Sequence, residues 1–185
     1  MLFIMKIISF FNPQKLNKKY YYSLSESGVY LFEKIKSEIE NNFFKKSYNL
    51  SGDLNPDGSI EIYNCASLIQ IKPNLGPYVT LKLSLENSKE ASLDTLVLQS
   101  CNGVTFYFHF WATLFIVVFF TISFIYKIFT QAPEISNSLI GILAILLFHF
   151  ISRIGNKLAT KALINKVESL MRHNKIKFKF QQESM

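Results

Sequence analysis

Cysteine occurs twice in the 185 residues, at Cys65 and Cys101, in no metal-ligand spacing. That excludes a disulfide framework and fits a reducing compartment. Motifs of familiar chemistry are missing too: there is no Walker loop, Gly-x-Gly-x-x-Gly, Gly-x-Ser-x-Gly, His-Glu-x-x-His or Cys-x-x-Cys. No catalytic, cofactor-binding or metal-ligating residue is therefore expected, and an enzyme is the weaker reading. Acidic residues are scarce at one end. Eleven lysines face ten acids before residue 104, whereas eight basic residues face two acids from Arg153 onward. So local a positive field points to anionic lipid headgroups or to retention on the cytoplasmic side, and not to nucleic acid. The start, Met1 to Phe11, is apolar, but Lys6 interrupts it and no small-residue cleavage site follows before Asn12-Pro13. It reads as a short helix on a membrane or on the domain, not as a cleaved signal.

Charge is also absent across the middle of the chain. From Val104 to Tyr126 there is no ionised side chain, and Lys127 is the first. At about 1.5 Å of rise per residue this run is ample for a hydrocarbon core of roughly 30 Å. A second run, Ser138 to Ser152, reaches that length when Ile135 and Ile154 are included, and Thr130 to Asn137 reads as the turn between them. Soluble helices are rarely apolar on every face, so the expectation is a transmembrane hairpin over 104–153, with spans at about 106–129 and 135–153. Tyr107 and Trp111 at one end and Tyr126 with Lys127 at the other suit two bilayer interfaces. Basic residues crowd the exit of the second span, against Glu134 alone in the loop, which puts both termini in the cytoplasm.

The flanking segments have their own periods. Val29, Phe32, Ile35, Ile39 and Phe43 recur at helical spacing behind Ser23-Leu-Ser-Glu26, which fits a capping box, and the charges between them read as a solvated face. From Tyr48 the period becomes two. Asn55-Pro-Asp-Gly58 turns a hairpin in which Gly58 is expected at positive φ, and Asp57 is explained by that turn. Ser67–Lys72, Val79–Leu85 and Leu93–Gln99 read as further strands, and Tyr20–Tyr22 as a short aromatic one. The predicted fold is α+β, one helix on an antiparallel sheet of about five strands, occupying 1–103. After the hairpin, 154–185 reads as a basic amphipathic tail. Ile154, Leu158, Ala162, Leu163, Val167, Leu170 and Met171 form its apolar stripe, and the helix either lies in the headgroup plane or packs on the soluble domain. Lys175 to Phe180 alternates strictly, as an edge strand or a disordered basic end.

Taken in order, the helix, the Gly52-Asp53 hairpin, the turn Ile71-Lys-Pro73-Asn-Leu-Gly76-Pro77, two strands and an apolar segment opening near an aromatic pair resemble small uncharacterised bacterial membrane proteins with an α+β domain before a transmembrane segment. The resemblance covers residues 20 to 130. It rests on structural turns, carries over no functional residue and implies a bacterial inner membrane.

Two groups of residues stand out as candidate sites. His109 and His149 lie within or beside the spans, where ionisable groups are costly, and so mark an intramembrane polar site. Two histidines without a carboxylate or thiolate do not close a metal shell. The other reading sets His109 among interfacial aromatics and has His149 hydrogen-bond to the partner helix. Arg153, Lys157, Lys161, Lys166 and Arg172 are the expected lipid-surface contacts. The function expected is a membrane-anchored interaction or ligand-binding module, with the bilayer and a protein partner or second copy as its partners. The alternatives are a small oligomeric transport or channel component, an immunity-type protein against a membrane-active toxin, and a membrane enzyme with a polar cluster at the junction of sheet and membrane.

Overall fold

The computed structural model describes residues 17–25, 28–41, 47–64, 77–87, 94–130 and 135–184. In chain order they form β1 (Lys19–Leu24), α1 (Gly28–Glu40), β2 (Leu50–Leu54), β3 (Ile60–Asn64), β4 (Val79–Asn87), β5 (Asp94–Asn102), α2 (Val104–Phe129), α3 (Ile135–His173) and β6 (Phe178–Ser184). The fold is α+β, as expected. Its antiparallel sheet has six strands, in the order β2-β3-β4-β5-β1-β6. The added strand is β6, an edge strand that begins at Phe178, within the alternating C-terminal segment. The expected strand at Ser67–Lys72, Cys65, and the N-terminal apolar stretch lie outside the described residues.

One face of the sheet is dry because the alternation is in register across strands. Leu83 stands between Ile60 and Leu98, Leu81 beside Ile62, and Leu96 between Leu85 and Tyr22. Leu81, Leu83, Leu96 and Leu98 are fully buried there. Two helices cover this face: α1 packs on β2 and β5, and the far half of α3 packs on β4 and β5. The core therefore draws on both sides of the expected boundary at residue 103, since Leu163, Ile164, Val167, Leu170, Met171 and Ile176 belong to it. The stripe read as lying on the membrane or packing on the domain thus packs on the domain from Leu163 onward.

Three local readings need correction. Ser23 is no cap: it pairs with Thr95 and Lys179 inside β1, because the aromatic run and the buried Leu24 carry the strand past it. The first amide of α1, on Gly28, instead donates to Asp94 Oδ2 at 2.6 Å. Phe32, Ile35 and Ile39 pack on the core as read, but the buried positions of α1 include Leu31 and Glu38, and Val29 is exposed. Glu38 is turned inward because it accepts the Tyr48 backbone amide at 2.7 Å, which lessens the cost of burying a carboxylate. Lastly, the second apolar run and the basic amphipathic segment are one continuous helix of 39 residues, about 58 Å long. It ends in a Schellman motif: Ile176 N donates to Met171 O at 2.9 Å, Lys175 N donates to Arg172 O at 3.1 Å, and Lys175 takes φ +60°.

The β2–β3 turn is as read from the sequence. Gly58 has φ +79°, its amide donates to Asn55 O at 3.0 Å, and Asp57 accepts from Ser59 N at 2.9 Å. A Cβ on Gly58 would meet nothing within 4 Å, so a substitution there acts through backbone conformation alone. Gly58→Val is expected to cost about 1–2 kcal/mol, measured as lower thermal stability of the full chain in mild detergent. An unchanged midpoint would contradict the positive φ.

Candidate functional site

The sheet meets the two apolar helices without a linker. β5 ends at Asn102, Gly103 follows, and α2 begins at Val104. Gly103 is extended, with φ −79° and ψ 169°, and its amide donates to Tyr78 O at 3.0 Å. A Cβ on Gly103 would overlap the Pro77 carbonyl, so glycine is needed here for close backbone approach and not for an unusual φ.

Around this joint lies a polar and aromatic cluster. Tyr78 Oη donates to Ser152 O at 3.1 Å, and burial raises the phenol above its ordinary range, which keeps it a donor. Its ring stands edge-on to Phe106 at 5.4 Å and 5.9 Å from His109. Asn156, almost fully buried, donates Nδ2 to Asn102 Oδ1 at 2.8 Å. Thr160, also buried, donates to Asn156 O at 3.0 Å. These hydrogen bonds and ring contacts tie β4 and β5 to α2 and α3. Among the described residues no group of histidine, cysteine and carboxylate side chains is placed to hold a metal ion.

The two histidines come to the same end of the hairpin. His109 is half-buried, with its ring 5.9 Å from Tyr78 and 6.1 Å from Phe148. His149 is buried between α2 and α3 with its ring 5.7 Å from Phe110. Elsewhere along this interface Ser123 and Ser138 meet at 3.5 Å, and Gly141 lies against the Phe120 ring.

The five basic residues are dispersed. Arg153 is half-buried, Lys157 and Lys161 are exposed, and the other two have protein partners. Lys166 donates to Asn64 Oδ1 at 2.6 Å and to Asn49 O at 3.4 Å. Arg172 donates to Glu168 Oε2 at 3.0 Å and lies over the Phe178 ring. Glu168 also accepts the Tyr22 hydroxyl at 2.9 Å, which ties α3 to β1.

The surface away from this joint offers less. Asp57 is held well below the usual carboxylate range by Lys82, at 2.8 Å, and by Ser59. Asp57 and Ser59 help line a shallow hollow of about 300 Å³ beside Val29, Phe32 and Leu85, where the carboxylate is already engaged. Burial pushes the Cys101 thiol up, away from the reactive thiolate.

Sequence reasoning missed Tyr78, Asn102, Gly103, Asn156 and Thr160. One signal was available: Ser152, Asn156 and Thr160 are polar at four-residue spacing on the side of the helix that continues into Leu163 and Val167. No protein-family model, curated protein or solved structure matches this chain.

Proposed function

We propose that this chain is a membrane-anchored interaction or ligand-binding module, with its sheet held at the cytoplasmic face of a bacterial inner membrane by the α2–α3 hairpin. The observation that carries this reading is α3, which runs unbroken from an apolar segment into the core of the sheet domain. Both α2 and α3 are long and apolar enough to cross a membrane, and only 6% and 11% of their most apolar windows are buried. A soluble protein would have to hide that surface, whereas a bilayer covers it. Near-neutral composition before residue 104 and the lack of a familiar catalytic motif in the sequence favour a binding role over an enzymatic one. Transport has less support, since neither helix carries an ionised side chain between Val104 and Tyr126 or between Ile135 and Ser152.

Gentle solubilisation of native membranes, followed by isolation of the full chain, is expected to return a stoichiometric protein or small-molecule partner. Repeated isolation of the chain alone would count against the module. The side of the membrane is tested through the native thiols, because Cys65 and Cys101 both precede α2. A membrane-impermeant maleimide should leave both unlabelled in intact cells and label at least one after permeabilisation. Labelling in intact cells would reverse the orientation.

A further inference from the structure

The lipid boundary on α3 can be located from which side of the helix is polar. From Leu163 onward the arrangement is that of a water-soluble domain: Leu163, Val167 and Leu170 face the sheet, while Asn165, Ser169 and Arg172 face outward. One to two turns earlier it is inverted. Asn156 and Thr160 face the sheet and are buried, while Ile154 and Leu158 face outward, Leu158 with 62% of its surface exposed. A helix that is polar inside and apolar outside is built to contact lipid. The exposed stripe Leu139, Leu143, Leu147, Ile151, Ile154 and Leu158 continues that surface without interruption. It covers about 20 residues, or roughly 30 Å, the thickness of a hydrocarbon core. The boundary therefore lies beyond Leu158, about one turn past the place that hydropathy alone assigns.

Lys157 and Lys161 sit on this outward face at the point of inversion. In α3 the Cα–Cβ bonds tilt toward the helix N-terminus, which here is the membrane, so both lysine stems lean back toward the bilayer. No acidic residue occurs between Ile135 and Val167, so α3 supplies them no counter-charge, and among the described residues neither makes an ion pair. Lys166 and Arg172 lie about 20 and 28 Å along the helix from Arg153, beyond the headgroups and a Debye length of about 10 Å. They also have protein partners. The antiparallel register of the hairpin, with Phe110 against His149 and Phe120 against Gly141, puts Val104 level with Asn156. Val104 is likewise apolar and exposed, so both helices present lipid-facing surface at the base of the sheet.

Building on the membrane reading above, we propose that the base of the sheet domain is sunk into the headgroup layer, where Lys157 and Lys161 hold anionic phospholipid headgroups against the Ile154–Leu158 ridge. The test uses the full chain. Trp111, the single tryptophan, first reports insertion: acyl-brominated phosphatidylcholine vesicles should quench its fluorescence, and no quenching would remove the membrane reading itself. The detergent-solubilised chain is then titrated with dioleoylphosphatidylglycerol or dioleoylphosphatidylcholine, and the rise in melting temperature gives a midpoint for each lipid. At about fivefold per lysine, phosphatidylglycerol should act at a midpoint roughly 30-fold lower. Lys157→Gln with Lys161→Gln should bring the two midpoints together, and Arg172→Gln should leave the preference intact. Equal midpoints in the unaltered chain, or a preference that survives the double substitution, would overturn the proposal even where Trp111 is quenched. So would an equal loss in Arg172→Gln.

Discussion

Gly103→Ala is expected to lower the melting temperature of the full chain in mild detergent by about 10 °C, although it adds one methyl group. The added carbon would overlap the Pro77 carbonyl and approach the Tyr78 carbonyl carbon, and both are backbone atoms that cannot rotate away. Relief requires β4 and the start of α2 to separate, which breaks the bond from Gly103 N to Tyr78 O. It also withdraws the Tyr78 hydroxyl from Ser152. Overpacking of this kind costs about 1–3 kcal/mol and occasionally more, and the lost hydrogen bonds add about 1 kcal/mol each. Together that is about 3–5 kcal/mol, and a chain of this size loses about 2–4 °C per kcal/mol. Gly155→Ala is the control. A Cβ there meets nothing within 4 Å in the interior of α3, so alanine should stabilise by up to about 1 kcal/mol. Opposite signs for the two substitutions would show that Gly103 is required by close approach. An unchanged melting temperature for Gly103→Ala would mean that the sheet and α2 are not joined in this way.

What could be read from the sequence was whatever depends on local period and turn chemistry. Val79 to Leu85 alternates and forms β4, and Asn55-Pro-Asp-Gly58 closes the β2–β3 hairpin with Gly58 at positive φ. The two apolar runs are long helices because nothing in them breaks a helix. The readings that failed depend on partners distant in sequence. Glu38 looks like part of a solvated face until Tyr48 N is placed against it, and Ser23 looks like a cap until Thr95 pairs with it. The place of β1 between β5 and β6 brings together residues from both ends of the chain, which no local period encodes. The continuity of α3 was obscured by a change of environment without a change of conformation. Its surface passes from apolar on all sides, through apolar-out, to apolar-in, and Gly155 weakens the helix without ending it. The joint residues were hidden for a related reason: Asn102 and Asn156 are unremarkable until their side chains meet at 2.8 Å.

That continuity sets up the largest effect expected in the chain. A protein ending after Arg153 would keep β1 to β5, α1 and both apolar segments, which the sequence alone would treat as a complete domain with its anchor. It should nevertheless fail to form a stable sheet. Leu163, Ile164, Val167, Leu170, Met171 and Ile176 are each at most 8% exposed in the core, and all would be lost. At about 1.5–3 kcal/mol for each buried apolar side chain, their removal forfeits on the order of 10 kcal/mol, comparable to the whole stability of a typical domain. The shortened chain would also expose the fully buried Leu81, Leu83 and Leu98, and it would strip β1 of its partner β6 and Tyr22 of Glu168. Hydrogen exchange in mild detergent makes the distinction. In the full chain the β4 and β5 amides should be protected, while in the shortened chain they should exchange close to the rate of an unfolded segment and the α2 amides should stay slow. Val167→Asp in the full chain is the milder form of the same test, since it places an unpaired carboxylate at a fully buried position and should cost about 3–5 kcal/mol. Persistent protection of β4 and β5 after truncation would mean that the sheet folds without the far half of α3, and that this half is a tether and not part of the core.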